Sequence, residues 1–319
     1  MGMQNLIRTC SVWRALEVVG DLSTLLILEA NWLGARRFDT LRTKTKLLKA
    51  LLSNRLKRLV SLGLLEKRLY CESPPRHEYI MTKKGGDLYW VALMLLRWER
   101  LWGTREGKIS VELTHKTCGA EFTPSPVCSH CREEIQAYDV DWREGPGVGW
   151  MTPVYSRRRQ LRDHESDPTS LLDEAAKLMG DRWASLILRS IFTGLNRYDE
   201  IRADTAIATN ILSERLSWMI ERGVLRQKQY TENPPRYEYQ LTRKGMDYYP
   251  ALLFLLQWGD KYYVSPEGPP LIMVHKLCGK DLKPAVACSE CKEDIEPRGV
   301  KFTVVERNLK TDVPEATTS

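Results

Sequence analysis

Apolar positions near the start of the chain recur at helical spacing. Val12, Leu16 and Val19 lie four and three apart, and a second run, Thr24-Leu25-Leu26-Ile27-Leu28, begins after a break at Gly20-Asp21. Two short helices are predicted. After a turn at Gly34, Phe38 and Leu41 mark a third short helix. Leu48, Leu52, Leu56 and Leu59 then form a stripe, expected to face a core, on a fourth helix that stops at Gly63. The pattern next changes to that of a hairpin: a strand over residues 64–70, a turn at Pro74-Pro75, and a return strand over 76–81. Thr82 is the expected N-cap of a closing helix that carries Leu88, Val91, Leu95 and Trp98.

The same pattern occurs twice, 160 residues apart. Gly20-Asp21 aligns with Gly180-Asp181, Leu52-Ser53-Asn54-Arg55-Leu56 with Leu212-Ser213-Glu214-Arg215-Leu216, and Pro74-Pro75-Arg76-His77-Glu78-Tyr79 with Pro234-Pro235-Arg236-Tyr237-Glu238-Tyr239. A unit this long buries its own core, so it is a duplicated domain and not a solenoid repeat. A helical core, a hairpin and a closing helix describe a winged helix. The predicted fold class is therefore mainly α with small β-hairpin wings (α+β), as two tandem winged helix-turn-helix domains, each with a small Cys/His tail. The expected boundaries are 1–135 for the first domain (tail 110–135), 136–169 for a linker, 170–296 for the second domain (tail 270–296) and 297–319 for a C-terminal tail. Gly145-Pro146-Gly147-Val148-Gly149 and Ser156-Arg157-Arg158-Arg159 supply the linker character, and the chain from Asn308 reads as unstructured.

The length of 319 residues, with 43% hydrophobic and 28% charged positions, fits two ordinary globular domains. The longest apolar runs, such as Val91-Ala92-Leu93-Met94-Leu95-Leu96, fall far short of the roughly 20 residues that cross a bilayer. No basic segment followed by an apolar run opens the chain, so a soluble, cytoplasmic protein with no membrane partner is expected. A net charge of +7 suits a polyanionic partner without proving one. The charge is unevenly shared: residues 36–84 hold 14 basic against 4 acidic side chains, and the matching 196–244 hold 9 against 7.

Gly-Asp-Arg-Trp at 180–183, Leu-Ser-x-Arg-Leu at 52–56 and 212–216, Pro-Pro-Arg-x-Glu-Tyr in both hairpins and the following Thr-x-Lys-Gly together resemble the HxlR family of bacterial regulators. The resemblance covers both units. It implies winged helix-turn-helix domains that pair as homodimers on double-stranded DNA, so this fusion is expected to act as a covalent pseudo-dimer, a sequence-specific transcriptional regulator. The first copy departs from the motif, with Leu22-Ser23 in place of Arg182-Trp183. Around the leucine stripe lie Lys46, Lys49, Ala50, Ser53, Asn54 and Lys57, and in the second copy Thr209, Asn210, Ser213, Glu214, Arg215 and Ser217. Such side chains on a helix in the major groove can read base edges or hold phosphates, and equally can form a solvated face. Arg55 and Arg215 suit a structural role as well. The wings add Arg68, Arg76, Lys228 and Arg236 as phosphate or minor-groove contacts.

Six of the eight cysteines fall into two copies of one spacing, His115-x2-Cys118-x9-Cys128-x2-Cys131 and His275-x2-Cys278-x9-Cys288-x2-Cys291. Two residues between ligands let one turn aim both at an ion, and three thiolates with one imidazole complete a tetrahedral shell. Each cluster is expected to hold one structural zinc, two per chain, with free thiols and disulfides as the alternatives. A glutamate placed as in the zinc deaminases is absent, with Thr117 and Leu277 in its place. Cys10 matches an N-terminal cysteine that some relatives use as a redox or electrophile sensor, although a lone cysteine near a helix start also serves as inert packing; its counterpart is Ser170. A small-molecule or redox effector and further self-association stay open. The chain shows no Gly-rich phosphate loop and no nucleophile elbow, and few histidines lie outside the clusters, which argues against an enzyme. The competing class is a protein-interaction scaffold in which winged helices bind partners instead of DNA.

Overall fold

The computed structural model of the protein describes residues 6–103, 109–152 and 171–306. In the first copy the order is β1 (Ile7–Arg8), α1 (Ser11–Val19), α2 (Leu22–Trp32), α3 (Phe38–Thr45), α4 (Lys49–Ser61), β2 (Leu65–Cys71), β3 (Arg76–Met81), α5 (Lys83–Gly86) and α6 (Tyr89–Trp102). A tail follows, with β4 (Ile109–His115), β5 (Pro124–Cys128), β6 (Val140–Glu144) and β7 (Trp150–Met151). The second copy repeats the scheme as α7 (Asp173–Gly180), α8 (Arg182–Phe192), α9 (Tyr198–Thr205), α10 (Thr209–Glu221), β8 (Leu225–Thr231), β9 (Arg236–Leu241), α11 (Arg243–Met246) and α12 (Tyr249–Tyr263). Its tail holds β10 (Leu271–His275), β11 (Lys280–Asp281), β12 (Pro284–Cys288) and β13 (Val300–Glu306).

Local chemistry fixes the breaks between elements. Asp21 caps α2 by accepting from the Thr24 amide at 3.0 Å, and Asp181 caps α8 by accepting from Ala184 at 3.0 Å. Gly63 and Gly223, with φ of 71° and 66°, occupy the left-handed conformation that ends α4 and α10 and turns the chain into the wing. Within each wing β2 pairs antiparallel with β3, and β8 with β9.

Two expectations need correction here. Thr82 caps only the single turn of α5, through the Gly85 amide, and its hydroxyl donates to the Gly63 carbonyl at 2.6 Å; the long helix starts separately at Tyr89. Leu52, Leu56 and Leu59 are buried as the stripe predicts, but Leu48 is 78% exposed. It occupies the N-cap position of α4, ahead of the first helical residue, where the 3.6-residue period no longer governs which way a side chain points.

The copies are packed together through one continuous apolar core. α1 of the first copy lies on α12 of the second, α7 of the second lies on α6 of the first, and α6 and α12 pack on each other. The polar contacts across this seam come in pairs 160 residues apart. Trp98 Nε1 donates to the Lys244 carbonyl at 2.9 Å and Trp258 Nε1 to the Lys84 carbonyl at 3.0 Å; Trp102 Nε1 donates to Asp247 at 3.0 Å and the Tyr262 hydroxyl to Asp87. At Gly180 a side chain would strike the Leu22 backbone of the other copy at 2.8 Å, so the glycine of the Gly-Asp pair also permits this close approach. The symmetry is broken at the edges: Arg8 on β1 reaches across to the buried Asp204, which Arg189 and Ser190 also hold.

The tails are interleaved. β4 pairs with β13, β5 with β12 and β6 with β10, always across the copies and antiparallel. β6 falls in the stretch read as linker and β13 in the stretch read as C-terminal tail. Both show the two-residue alternation of a half-buried strand, Val140-Asp141-Trp142 and Val300-Lys301-Phe302-Thr303-Val304, and they are themselves 160 apart. Residues 156–159, Ser170 and the chain from Asn308 lie outside the described residues. Among those described, no helix is long and apolar enough to cross a membrane.

Candidate nucleic-acid interface and metal clusters

The fourth helix of each copy, α4 or α10, presents one face to solvent and buries the other against its own domain. Lys49, Ala50, Asn54 and Lys57 are exposed on α4 and Ser53 is half-buried, while Lys46 is exposed at the left-handed end of α3. On α10, Thr209, Asn210, Ser213, Glu214 and Ser217 are exposed. The Tyr198 hydroxyl donates to the Thr209 carbonyl at 2.9 Å and lies 3.2 Å from the Ser213 hydroxyl, a clamp that Phe38 cannot supply in the first copy. On the wings Arg68, Arg76, Lys228 and Arg236 are exposed; Arg68 is held by Glu78 across the hairpin at 2.7 Å, and Lys228 stands 3.9 Å from Glu238.

Arg215 does not belong to this surface. It is 5% exposed and ion-paired to Asp181, the residue that caps α8, so it ties α10 to α8 from inside. Arg55 pairs with Asp21 in the same way at 3.0 Å. In both copies the Gly-Asp and Leu-Ser-x-Arg-Leu segments thus supply the two ends of one ion pair, buried or partly buried between helices.

Sequence reasoning missed other groups beside the same face. Arg37 stacks over Tyr70 at 4.5 Å and Arg197 over Tyr230 at 4.6 Å, holding an exposed guanidinium between helix and wing. The signal was present in the repeat, because both the arginines and the tyrosines are 160 apart. The exposed Leu48 at the head of α4 is another, and Ala208 is its counterpart.

Cys10 is buried. Its sulfur caps α1, accepting from the Trp13 amide at 3.4 Å, so the thiol lacks the access that a sensor of dissolved oxidants needs. Cys71, beside the wing turn, donates to the Ser73 carbonyl.

The Cys/His residues form two clusters, but not the two that spacing suggested. One contains His115, Cys118, Cys288 and Cys291, and the other Cys128, Cys131, His275 and Cys278; in each, the ligand atoms lie within 4.8 Å of one another. Every cluster takes the His-x2-Cys half of one copy and the Cys-x2-Cys half of the other. The cause is the strand pairing: β4 with β13 and β5 with β12 carry each half across the seam, and a swap of this kind leaves no trace in the spacing of a single copy. Backbone turns aim the ligands, with the Gly119, Arg132, Gly279 and Lys292 amides donating to the carbonyls of His115, Cys128, His275 and Cys288. These four residues all have positive φ.

The separations fit a tetrahedral ion. Zn–S bonds of about 2.3 Å and Zn–N bonds of about 2.0 Å give S···S edges of about 3.8 Å and N···S edges of about 3.5 Å. The structure has Cys118 to Cys288 at 4.0 Å and Cys128 to Cys278 at 3.9 Å. The Nδ1 to sulfur distances are 3.6 Å from His115 to Cys118, 3.3 Å to Cys291, and 3.5 and 3.3 Å from His275 to Cys278 and Cys131. Both clusters can therefore hold a metal ion, and with four protein ligands neither leaves an open position for a reacting water.

Two carboxyls on the seam have unusual protonation. Burial pushes Glu99 up to about 7, even though its Oε2 accepts from the Ala175 amide at 2.8 Å at the start of α7. Burial likewise pushes Asp260 up to about 6, where the Ser11 hydroxyl donates to it at the start of α1. Glu99 thus accepts from a first-turn amide of the opposite copy, while Asp260 is held by a side chain at the start of the opposite copy's first helix.

The HxlR-like helix-turn-helix family model matches residues 18–107 and again 178–267, more than half of the chain. The chain belongs to the HxlR-like helix-turn-helix family. An uncharacterized HTH-type transcriptional regulator of Mycobacterium tuberculosis, MT3179, is 40% identical over 126 residues, which span 40% of this chain and 80% of that protein. One from Methanothermobacter thermautotrophicus is 35% identical over 92 residues, 28% of this chain and 70% of that one. The solved structure of PA1374 from Pseudomonas aeruginosa is 30% identical, covers 37% of this chain and 80% of that chain, and has a TM-score of 0.29. The HxlR-like chain is thus a tandem, with two family units where these relatives match one. Both matched segments stop short of His115 and His275, so the two Cys/His clusters lie outside the HxlR-like units.

Proposed function

We propose that the protein is a non-enzymatic transcriptional regulator that binds specific double-stranded DNA, with its two copies acting as a covalent pseudo-dimer. The observation that carries this reading is the paired seam, in which Trp98 and Trp258, and Trp102 and Tyr262, make equivalent contacts in opposite directions. That arrangement gives one chain two reading helices related as in a homodimer. α4 and α10 enter adjacent major grooves, and the wings, with Arg37, Arg76, Arg197 and Arg236, hold phosphates. Because Thr209, Glu214 and Ser217 stand at the places equivalent to Lys49, Asn54 and Lys57, the operator has two unlike half-sites. Each Cys/His cluster takes one structural zinc ion, two per chain, since three thiolates and one imidazole suit zinc over harder cations. A cytoplasmic location follows from the DNA partner.

Genome-wide mapping of bound sites tests the reading. An enriched motif with two unlike halves is expected. Occupancy with no enriched motif overturns it and favours a protein-interaction scaffold.

A further inference from the structure

The crosswise wiring of the clusters has a mechanical consequence. An ion bound by four ligands of one copy would stiffen only that copy's tail. Here each cluster draws two side chains from each copy, so filling a site would join the copies and emptying it would free ligands on both. We propose that the two metal ions are clasps between the copies and that their occupancy regulates DNA binding, by fixing how the two reading helices are presented together. The proposal rests on the DNA-binding reading above, and the effector it names is a thiophilic divalent metal such as zinc.

Contacts from the tails to the seam helices show how a clasp reaches the reading heads. Arg97 and Arg100 on α6 hold Glu134 and Glu121 of the first tail. Tyr249 and Leu253 on α12 share a small buried cluster with the ligand Cys128 and with Ile135, so the first copy's tail sits directly on the second copy's closing helix. On the same two helices, Trp98, between Arg97 and Arg100, and Trp258 bond the carbonyls of Lys244 and Lys84, within α11 and α5, the turns at the base of each wing. A shift in the tails therefore acts on α6 and α12, and these act on the wing of the opposite copy. Among the described residues the seam helices and the interleaved tails together relate the domains of α4 and α10, so the geometry that two half-sites demand is the geometry the clasps stabilise.

The wiring can be tested with paired substitutions in the full chain, reading metal content and the thiolate-to-cobalt absorption of Co²⁺-loaded protein. Cys118→Ser with Cys288→Ser removes two ligands from one crosswise cluster and leaves the other intact, so one ion is expected to remain. Cys118→Ser with Cys128→Ser takes one ligand from each cluster, so no complete Cys3His site is expected. The opposite result, one complete site in the second variant and none in the first, overturns the crosswise clasp.

Regulation is read by titrating the mapped operator and a single half-site with zinc-loaded and chelator-treated protein. Two tethered heads gain roughly 10²-fold or more over one when both engage. Chelation is expected to weaken operator binding at least tenfold and to change single-half-site binding less than about twofold. Undiminished operator binding by the chelated protein overturns the proposal, because the helical seam then suffices. An equal loss on both DNAs overturns it too, since the metal would then support each winged helix by itself. Absence of any sequence preference in either form refutes the DNA-binding reading instead, and the cobalt result still decides the wiring.

Discussion

Glu99 should make the seam between the copies weaken as pH rises through neutrality. Its carboxyl is raised from the ordinary 4.5 to about 7 by burial in the folded chain. Between those values the folded protein binds a proton that the unfolded chain does not, so stability is fully present below about pH 4.5 and is lost as pH climbs through 7. At 1.36 kcal/mol per pH unit the shift corresponds to an upper limit of roughly 3 kcal/mol, and relaxation around the charge brings the expected loss to about 1–2 kcal/mol. Asp260, raised to about 6, acts with the same sign at lower pH. Glu99→Gln keeps an oxygen to accept from the Ala175 amide but cannot ionise. Thermal unfolding of zinc-saturated protein at several values from pH 5.5 to 8.5 should show wild type losing a few degrees more than the variant, with the variant the more stable at pH 8. Parallel pH profiles for the two proteins would refute the assignment.

Four further outcomes follow from the geometry. Arg215→Ala leaves Asp181 without its buried partner and should cost about 3 kcal/mol in denaturant unfolding, far more than a change on an exposed reading face; a loss below about 1 kcal/mol would contradict the buried pairing. Alanine at Lys46, Lys49 and Lys57 together should flatten the slope of log affinity against log salt by up to about 2.7, while alanine at Thr209, Asn210 and Ser213 should mainly relax sequence preference. Equal effects on the slope would remove the division of labour suggested by the charge difference between the copies. Leu48→Ala should leave stability within about 0.5 kcal/mol yet weaken operator binding, and deoxyuridine in place of thymine should abolish the difference if the exposed leucine meets a thymine methyl.

Much of this was legible in the sequence because the fold is written in local patterns. Leu52, Leu56 and Leu59 follow the helical period and are buried; the Pro-Pro turns and the hairpins fall where the alternation places them; and the repeat at 160 exposed the tandem HxlR-like architecture. All eight residues of the two Cys/His clusters were picked out by spacing. Their partnership was not, since it depends on strands β4, β5, β12 and β13 meeting across the copies, and a long-range pairing leaves no periodic mark. Arg215 was misplaced for a related reason. Its position beside polar neighbours on α10 resembles an outer face, and only the packing of α10 on α8 turns it toward Asp181. Leu48 failed at the point where a helical stripe runs past the end of its helix, and for Cys10, which the sequence left open between a sensor and inert packing, only the fold shows that it is buried with its sulfur accepting from the Trp13 amide.

The most direct test of the two-headed reading is the stoichiometry and extent of protection on a mapped site, measured by footprinting and complex mass at nanomolar zinc-loaded protein. A single chain should protect both unlike half-sites at once, with protection independent of any association between chains. Protection of one half-site per chain, or a complex that forms only with two chains, would contradict the covalent pseudo-dimer.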